Sequence, residues 1–180
     1  YGDIEISKKI VFNLGLIKDN MPAIIDFLTK VQDNPRISDA VKKDAPDLTL
    51  ISVKKGLDEI IELSEQIISY KKSLQQAIDA TESFKKMQDR GTYKTLVREY
   101  TIAINEMERV NGLFLRHTEE LSRLNALLIS FDKASSKLVP SLSRNTGIIL
   151  DASNKTKDDL LRLTNNMKIE KAFLLSVMGQ

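Results

Sequence analysis

The sequence predicts an all-α fold, an elongated antiparallel bundle of three to four long helices with coiled-coil-like packing. Three observations lead to this prediction. Only seven glycines and four prolines interrupt the 180 residues, so long helices meet few breakers. Apolar side chains recur in alternating steps of three and four residues, which is the spacing of a helix-packing stripe. Turn signals are brief, and short connections between long helices force neighbours to run antiparallel.

The first predicted helix begins near the N-terminus and ends at the Asn34-Pro35 turn. Its apolar stripe consists of Ile10, Leu14, Ile17, Met21, Ile24, Leu28 and Val31. Pro22 interrupts this stripe without shifting it. Because proline removes a backbone hydrogen bond and crowds the preceding turn, we expect either a kink or a restart of the helix with Asn20 as its N-cap.

The second predicted helix begins at Pro46-Asp47, two residues that suit a first helical turn, and ends near Asp89. Its apolar stripe is wider and less regular than the first. Ser64, Lys71 and Thr81 occupy positions where the apolar seam should continue. We therefore expect a local interruption of the packing, or a slow rotation of the buried face along this helix.

The third predicted helix follows a tight turn at Arg90-Gly91-Thr92. Gly91 is expected beyond the end of one helix with a positive φ, and Thr92 is expected to cap the next. Eleven positions of the third helix then alternate steps of four and three without a fault: Leu96, Tyr100, Ala103, Met107, Val110, Phe114, His117, Leu121, Leu124, Leu128 and Phe131. Such regularity over five heptads predicts a buried seam.

The last predicted helix follows a break at Pro140, with Ser141 or Ser143 as its cap, and runs to about Val177. Its apolar residues keep helical spacing. The stretch 153–159, with the sequence SNKTKDD, is polar. We expect this stretch to fray or to face solvent.

The composition excludes several classes of function. The 27 basic and 25 acidic residues nearly balance, so no general attraction to nucleic acid is expected. The absence of cysteine excludes a disulfide framework and a thiolate nucleophile, and a single histidine removes most catalytic triads and zinc sites. No stretch of 18 apolar residues and no signal peptide is found. We therefore expect no enzymatic activity, no cofactor and no metal.

His117 is the only histidine, and it occupies a seam position of the third helix. A polar side chain at such a position usually sets the register or orientation of the helices. We expect a partly buried imidazole that is hydrogen-bonded to a neighbour. A pH-responsive packing switch and a contact with a ligand are the functional alternatives. Gly112 lies on the same helix and either lets a neighbour approach closely or is simply tolerated there.

Paired lysines on the second helix form a candidate basic interaction surface, which consists of Lys54, Lys55, Lys71, Lys72, Lys85 and Lys86. The last two pairs are 14 residues apart and so point the same way in a supercoiled helix. Such a stripe could bind an acidic partner or an anionic membrane surface. Acidic residues share the helix, however, and mixed charge is usual on any solvated helix.

The sequence as a whole favours a non-enzymatic protein–protein interaction module, such as a coiled-coil scaffold, adaptor or tether. Its partner is expected to be another protein, or a second copy of the chain in a homodimer. One alternative is a membrane-surface bundle or the body of a pore-forming helical toxin. The other is a receptor bundle that senses a ligand or pH.

Residues 1–180 are expected to form one helical-bundle domain. The start at Tyr1, without an initiator methionine, suggests a piece of a longer protein. Because no targeting signal is recognisable, we expect a cytoplasmic location.

Overall fold

Four helices make up the protein in the computed structural model, which describes residues 2–32, 35, 39, 43, 50–82, 90–134 and 140–178. The helices are α1 (Gly2–Gln32), α2 (Leu50–Glu82), α3 (Arg90–Ala134) and α4 (Pro140–Met178). The described residues contain no strand. The predicted all-α bundle is therefore confirmed. At 1.5 Å per residue, α3 alone is about 68 Å long.

The helices form an up-down-up-down bundle. Each helix packs on its two neighbours in the order α1, α2, α3, α4 and back to α1. Pairs of facing residues show that each helix runs antiparallel to the next. Between α1 and α2, Asp3 contacts Lys71 and Lys18 contacts Glu65. Between α2 and α3, Tyr70 contacts Glu99 and Gly56 faces His117; between α3 and α4, Tyr100 contacts Glu170 and Asn111 contacts Thr164. The α3/α4 and α1/α4 contacts are the most extensive, and the α1/α2 contact is the smallest of the four between neighbouring helices.

The stripe predicted for α3 is the centre of the core. Nine of its positions are buried, from Leu96 to Leu124, and the side chains of Leu128 and Phe131 lie outside the described part of the chain. On α1, Ile10, Leu14, Ile17 and Ile24 are buried in the same core. The α3 prediction thus holds at every position that can be compared.

Helix α1 continues through Pro22, so the predicted restart is wrong. Asn20 does not cap a new helix, because its Nδ2 donates a hydrogen bond of 2.7 Å to the Leu16 carbonyl, one turn earlier. Pro22 leaves the Lys18 carbonyl without its helical donor. Since Pro22 lies on the exposed side of α1, water can solvate that carbonyl.

The turn predicted at Arg90-Gly91-Thr92 is also wrong. These three residues form the start of α3, and Gly91 does not have a positive φ. The Thr95 hydroxyl donates to the Gly91 carbonyl at 3.0 Å, as it does within a continuous helix. The connection between α2 and α3 falls in residues 83–89, outside the described residues, as does the predicted start of the second helix at Pro46-Asp47.

The polar stretch 153–159 of α4 does not fray as predicted, and it faces solvent only in part: Lys155 and Asp158 are exposed, but three of its seven residues are buried. Helix α4 is continuous, and Ser153, Thr156 and Asp159 all lie in the interior. The Thr156 hydroxyl donates to the Ala152 carbonyl at 2.7 Å, so its burial leaves no donor unpaired. The contacts of α4 with α1 and α3 are the two most extensive of the bundle.

Candidate functional site

A polar cluster, with Lys71 and Tyr100 buried and its other members partly buried, joins all four helices near the N-terminus of α1. It consists of Asp3, Lys71, Tyr100, Asn166 and Glu170. The Lys71 ammonium lies 3.1 Å from Asp3 Oδ2 and 2.5 Å from Glu170 Oε2. Tyr100 donates its hydroxyl hydrogen to the same Glu170 oxygen at 2.6 Å, and Asn166 donates to Asp3 Oδ1 at 2.7 Å. The cluster therefore ties the helices together through partners that satisfy one another.

The electrostatics of the polar cluster follow from burial and pairing. Burial alone would raise the pKa of Asp3, but hydrogen bonds from Asn166 and Lys71 and the charge of Lys71 outweigh it, so this pKa is lowered. Burial and the adjacent Glu170 carboxylate raise the pKa of Tyr100 far above its usual value. The Lys71 ammonium also lies 5.5 Å from the centre of the Tyr100 ring, within cation–π range. Tyr100 thus stays a hydrogen-bond donor at any ordinary pH.

Lys71 is therefore not part of an exposed basic surface, which corrects the sequence prediction for this residue. Its side chain is only 4% exposed because it lies on the apolar seam of α2, where the carboxylates of α1 and α4 reach it. Lys54, Lys55 and Lys72 are exposed as predicted, and Lys85 and Lys86 lie outside the described residues. Ser64 also occupies a buried seam position, where its hydroxyl donates to the Ile60 carbonyl at 2.6 Å.

An apolar basin lies beside the polar cluster, between the N-terminal half of α1 and the C-terminal half of α2. It has a volume of about 570 Å³, and its exposed lining is almost entirely apolar. Ile4 and Val11 of α1 line it although they are 60% and 56% exposed, and Ile68 of α2 faces them. Lys8 and Lys72 complete the rim. The basin thus joins unpartnered apolar side chains to a basic edge.

An acidic basin occupies the other half of the same α1/α2 junction. Its volume is about 770 Å³, and Met21, Ile25 and Ile61 supply its apolar lining. The charged residues around it are Lys18, Asp26, Lys54, Asp58, Glu62 and Glu65. The four acids exceed the two lysines by two charges. We call the two basins together the α1/α2 crevice; a smaller pocket of about 320 Å³ lies between α2 and α3.

An ion pair crosses the α1/α2 crevice where the two basins meet. Lys18 of α1 bonds to Glu65 of α2, and both side chains are about half exposed. An exposed pair of this kind is worth at most about 1 kcal/mol. The ion pair therefore lies at the boundary between the two basins but contributes little to the stability of the α1/α2 contact.

His117 is buried at its predicted seam position, and it packs against Gly56 of α2. Its Nδ1 lies 3.1 Å from Glu120 Oε2 on its own helix, while its buried Nε2 has no hydrogen-bond partner among the described residues. A β-carbon added to Gly56 would lie 2.8 Å from Nε2 and closer still to two other ring atoms. The expectation of a buried imidazole bonded to a neighbour is confirmed. The proposed switch and ligand roles stay predictions.

Of the two alternatives for Gly112, the structure bears out the second, that the glycine is simply tolerated. A β-carbon at Gly112 would meet nothing within 4 Å, so this glycine is simply tolerated on an exposed surface. Gly56 carries the close contact instead, and nothing in the sequence of α2 alone indicates it. Lys71 at a seam position was the one signal for the polar cluster. Its partners on α1 and α4 could not be read from the periodicity of α2.

The described residues offer no group of three or more His, Asp or Glu side chains that could hold a metal ion. Within the same part of the chain, the helices are too polar for any of them to span a bilayer. The polar cluster fixes helix positions, and the α1/α2 crevice provides accessible apolar surface. Comparisons with protein-family models, with characterised proteins and with solved structures found no match.

Proposed function

We propose that the protein is a non-enzymatic protein–protein interaction module that binds a partner in the α1/α2 crevice. One observation carries the proposal: Ile4 and Val11 are more than half exposed, and both line a basin with almost no polar surface. Burying such side chains gains roughly 25 cal/mol for each Å² of apolar surface. Exposed apolar surface that is concave and rimmed by charge is typical of binding sites.

The rest of the bundle supports this choice of surface. Helix α4 packs extensively on both neighbours, whereas α1 and α2 make the smallest contact of any neighbouring pair. The polar cluster holds the N-terminal end of α1 in place beside the apolar basin. A binding surface is most effective when its supporting elements are rigid before the partner arrives.

Site-directed photocrosslinking tests the proposal. A photoreactive amino acid replaces Val11 in the full chain. After illumination of the cells that make this variant, mass spectrometry identifies the molecules crosslinked to it. The captured protein is then purified, and its affinity for the wild-type chain and for Val11→Glu is measured by calorimetry. We expect Val11→Glu to weaken binding at least about tenfold, because a carboxylate would be buried against apolar surface.

Phe12→Glu is the matched control, since Phe12 is 68% exposed on the same helix but does not line the crevice. This variant should bind the partner as the wild type does. Equal losses in the two variants, or none in either, would contradict docking in the crevice. Capture of lipid instead, with binding to anionic vesicles, would favour the membrane-surface alternative.

A further inference from the structure

We propose that α2 is a displaceable helix: it leaves the bundle as a unit while α1, α3 and α4 stay packed, and the groove beneath it binds an amphipathic helix with one cation on its apolar seam. This inference goes beyond the proposed function, because the groove lies beneath α2 and the α1/α2 crevice lies beside it. We call this groove the α2 seat. It includes Asp3 and Met21 of α1, Ala103 and His117 of α3, and Glu170 of α4.

Helix α2 has the least extensive contacts with the rest of the bundle. Its contact with α1 is the smallest between neighbouring helices, and its contact with α3 is smaller than either contact of α4. The two largest contacts join α1 and α3 to α4, so these three helices remain connected without α2. Because elements with few buried contacts open at a lower free energy than the rest of a protein, α2 is the helix that should open first.

Hydration of buried polar groups lowers the cost of this opening. Lys71 is buried, and both of its carboxylate partners, Asp3 and Glu170, lie on other helices. When α2 leaves, water reaches all three charged groups, and their recovered hydration offsets the lost ion pairs. His117 gains as well, because Gly56 of α2 no longer covers the ring and water can bond to its unpartnered Nε2. A purely apolar seam would offer no such compensation.

The same carboxylates determine which helix the α2 seat accepts. Asp3 and Glu170 share the single ammonium group of Lys71. An incoming helix with an apolar residue at this position would leave both carboxylates unpaired beneath it, which is costly. Met21 and Ala103 lie beside apolar residues of α2, so the seat also needs an apolar stripe. A partner helix that takes the place of α2 therefore combines such a stripe with one lysine or arginine on it.

Hydrogen exchange tests the opening of α2. Mass spectrometry follows the amide protons of the wild-type chain in rising urea, below the concentration that unfolds the protein. We expect the amides of α2 around Ser64 to exchange at least about tenfold faster than those of α4 around Leu160. The urea dependence should also be smaller for the α2 amides, because opening of one helix exposes less surface than global unfolding. Equal exchange rates and equal urea dependence in the two helices would overturn the inference.

A peptide with the sequence of α2 tests the seat. It spans residues 50–82, carries a fluorescent label, and has an acetyl and an amide group in place of terminal charges. Fluorescence anisotropy measures its binding to the full chain. The wild-type chain should bind this peptide weakly, because its own α2 competes at a high effective concentration. The Lys71→Met chain should bind the peptide at least about tenfold more tightly, because the peptide supplies the cation that the chain's own α2 lacks.

Matched controls isolate the effect of the cation. A Lys71→Met peptide should bind the Lys71→Met chain at least about tenfold more weakly than the wild-type peptide does. A Lys72→Met peptide should bind it as the wild-type peptide does, because Lys72 is exposed. Circular dichroism checks that each chain is folded. If the Lys71→Met chain is not folded, Gly56→Ala takes its place: its own α2 fits poorly against His117, so it too should bind the wild-type peptide at least about tenfold more tightly than the wild-type chain does.

The results separate this inference from the proposed function. No binding of the peptide to any of the chains, or equal affinity of the peptides with and without Lys71, would overturn the inference. Loss of peptide binding in the Val11→Glu chain, without any effect of Lys71, would place the peptide in the α1/α2 crevice and would also overturn it. The proposed function is judged by the contrast between Val11→Glu and Phe12→Glu with the photocrosslinked partner, whichever result the peptide gives.

Discussion

Lys71 and His117 are two polar residues on apolar seams of the same bundle, and their surroundings are opposite. Lys71 has carboxylate partners from α1 and α4 and a tyrosine ring from α3. His117 has one partner on its own helix, a bare nitrogen in the interior, and a glycine that makes room for its ring. Electrostatic pairing accommodates Lys71, whereas steric space accommodates His117. A polar residue in a seam can thus be retained for quite different physical reasons.

The largest effect should come from Lys71→Met, which keeps the length of the side chain and removes its charge. Asp3 and Glu170 would remain partly buried without their cation, and breaking a buried pair in this way costs about 3–5 kcal/mol. Chemical denaturation measures the change in the free energy of unfolding. Lys72→Met is the matched control, because Lys72 is exposed and should stay within about 0.5 kcal/mol of the wild type. Similar stability of the two variants would refute a structural role for the polar cluster.

Gly56→Ala should have the next largest effect, because the new methyl group would overlap the His117 ring. Overpacking of this kind costs about 1–3 kcal/mol. Adding His117→Ala should remove the penalty, and denaturation of all four members of the double-mutant cycle measures the coupling. Gly112→Ala is the control: with open space around it, alanine should stabilise α3 by about 0.5–1 kcal/mol. Additive effects of the two substitutions would show that the residues are not in contact.

The smallest effect should be a change in pH dependence caused by Asp3→Asn. The pKa of Asp3 is lowered in the folded state, so its ionised form stabilises the protein above about pH 4, the range of the unfolded carboxyl. This contribution is lost as the pH falls through the folded pKa. Urea denaturation between pH 2 and 6 should give a flatter pH profile of the free energy of unfolding for Asp3→Asn.

Asn166→Ala is the comparison for this experiment, because it removes one hydrogen bond to Asp3 and leaves the carboxylate in place. Its pH profile should lie between those of the wild type and Asp3→Asn. An Asp3→Asn profile as steep as the wild type's would mean that other carboxylates carry the acid sensitivity.

The sequence predicts well what depends on the period of a single helix. The α3 stripe from Leu96 to Leu124 is buried as predicted, because each of those positions faces the same side of one continuous helix. Three residues of the polar stretch 153–159 are buried against prediction, because a buried hydroxyl such as that of Thr156 can donate its hydrogen bond to the carbonyl one turn earlier in its own helix. Local turn chemistry was also misleading at Gly91, which lies inside α3.

The candidate site was largely beyond prediction because it depends on relations between helices. Lys71 falls on the seam in the sequence, but Asp3 and Glu170 reach it only after three helices have packed. The apolar residues Ile4 and Val11 lie seven residues apart, as core residues of a helix often do. Their spacing therefore does not predict that both side chains are more than half exposed. The width of a crevice is set by the side chains of every helix around it.

The position of Asp3, near the first residue of α1, has a mechanical consequence. Its carboxylate is bound both by Lys71 of α2 and by Asn166 of α4. The start of α1 is therefore joined to both of its neighbours through one side chain. Helix ends usually fray, but unwinding of the first turn of α1 would have to break contacts with two other helices at once.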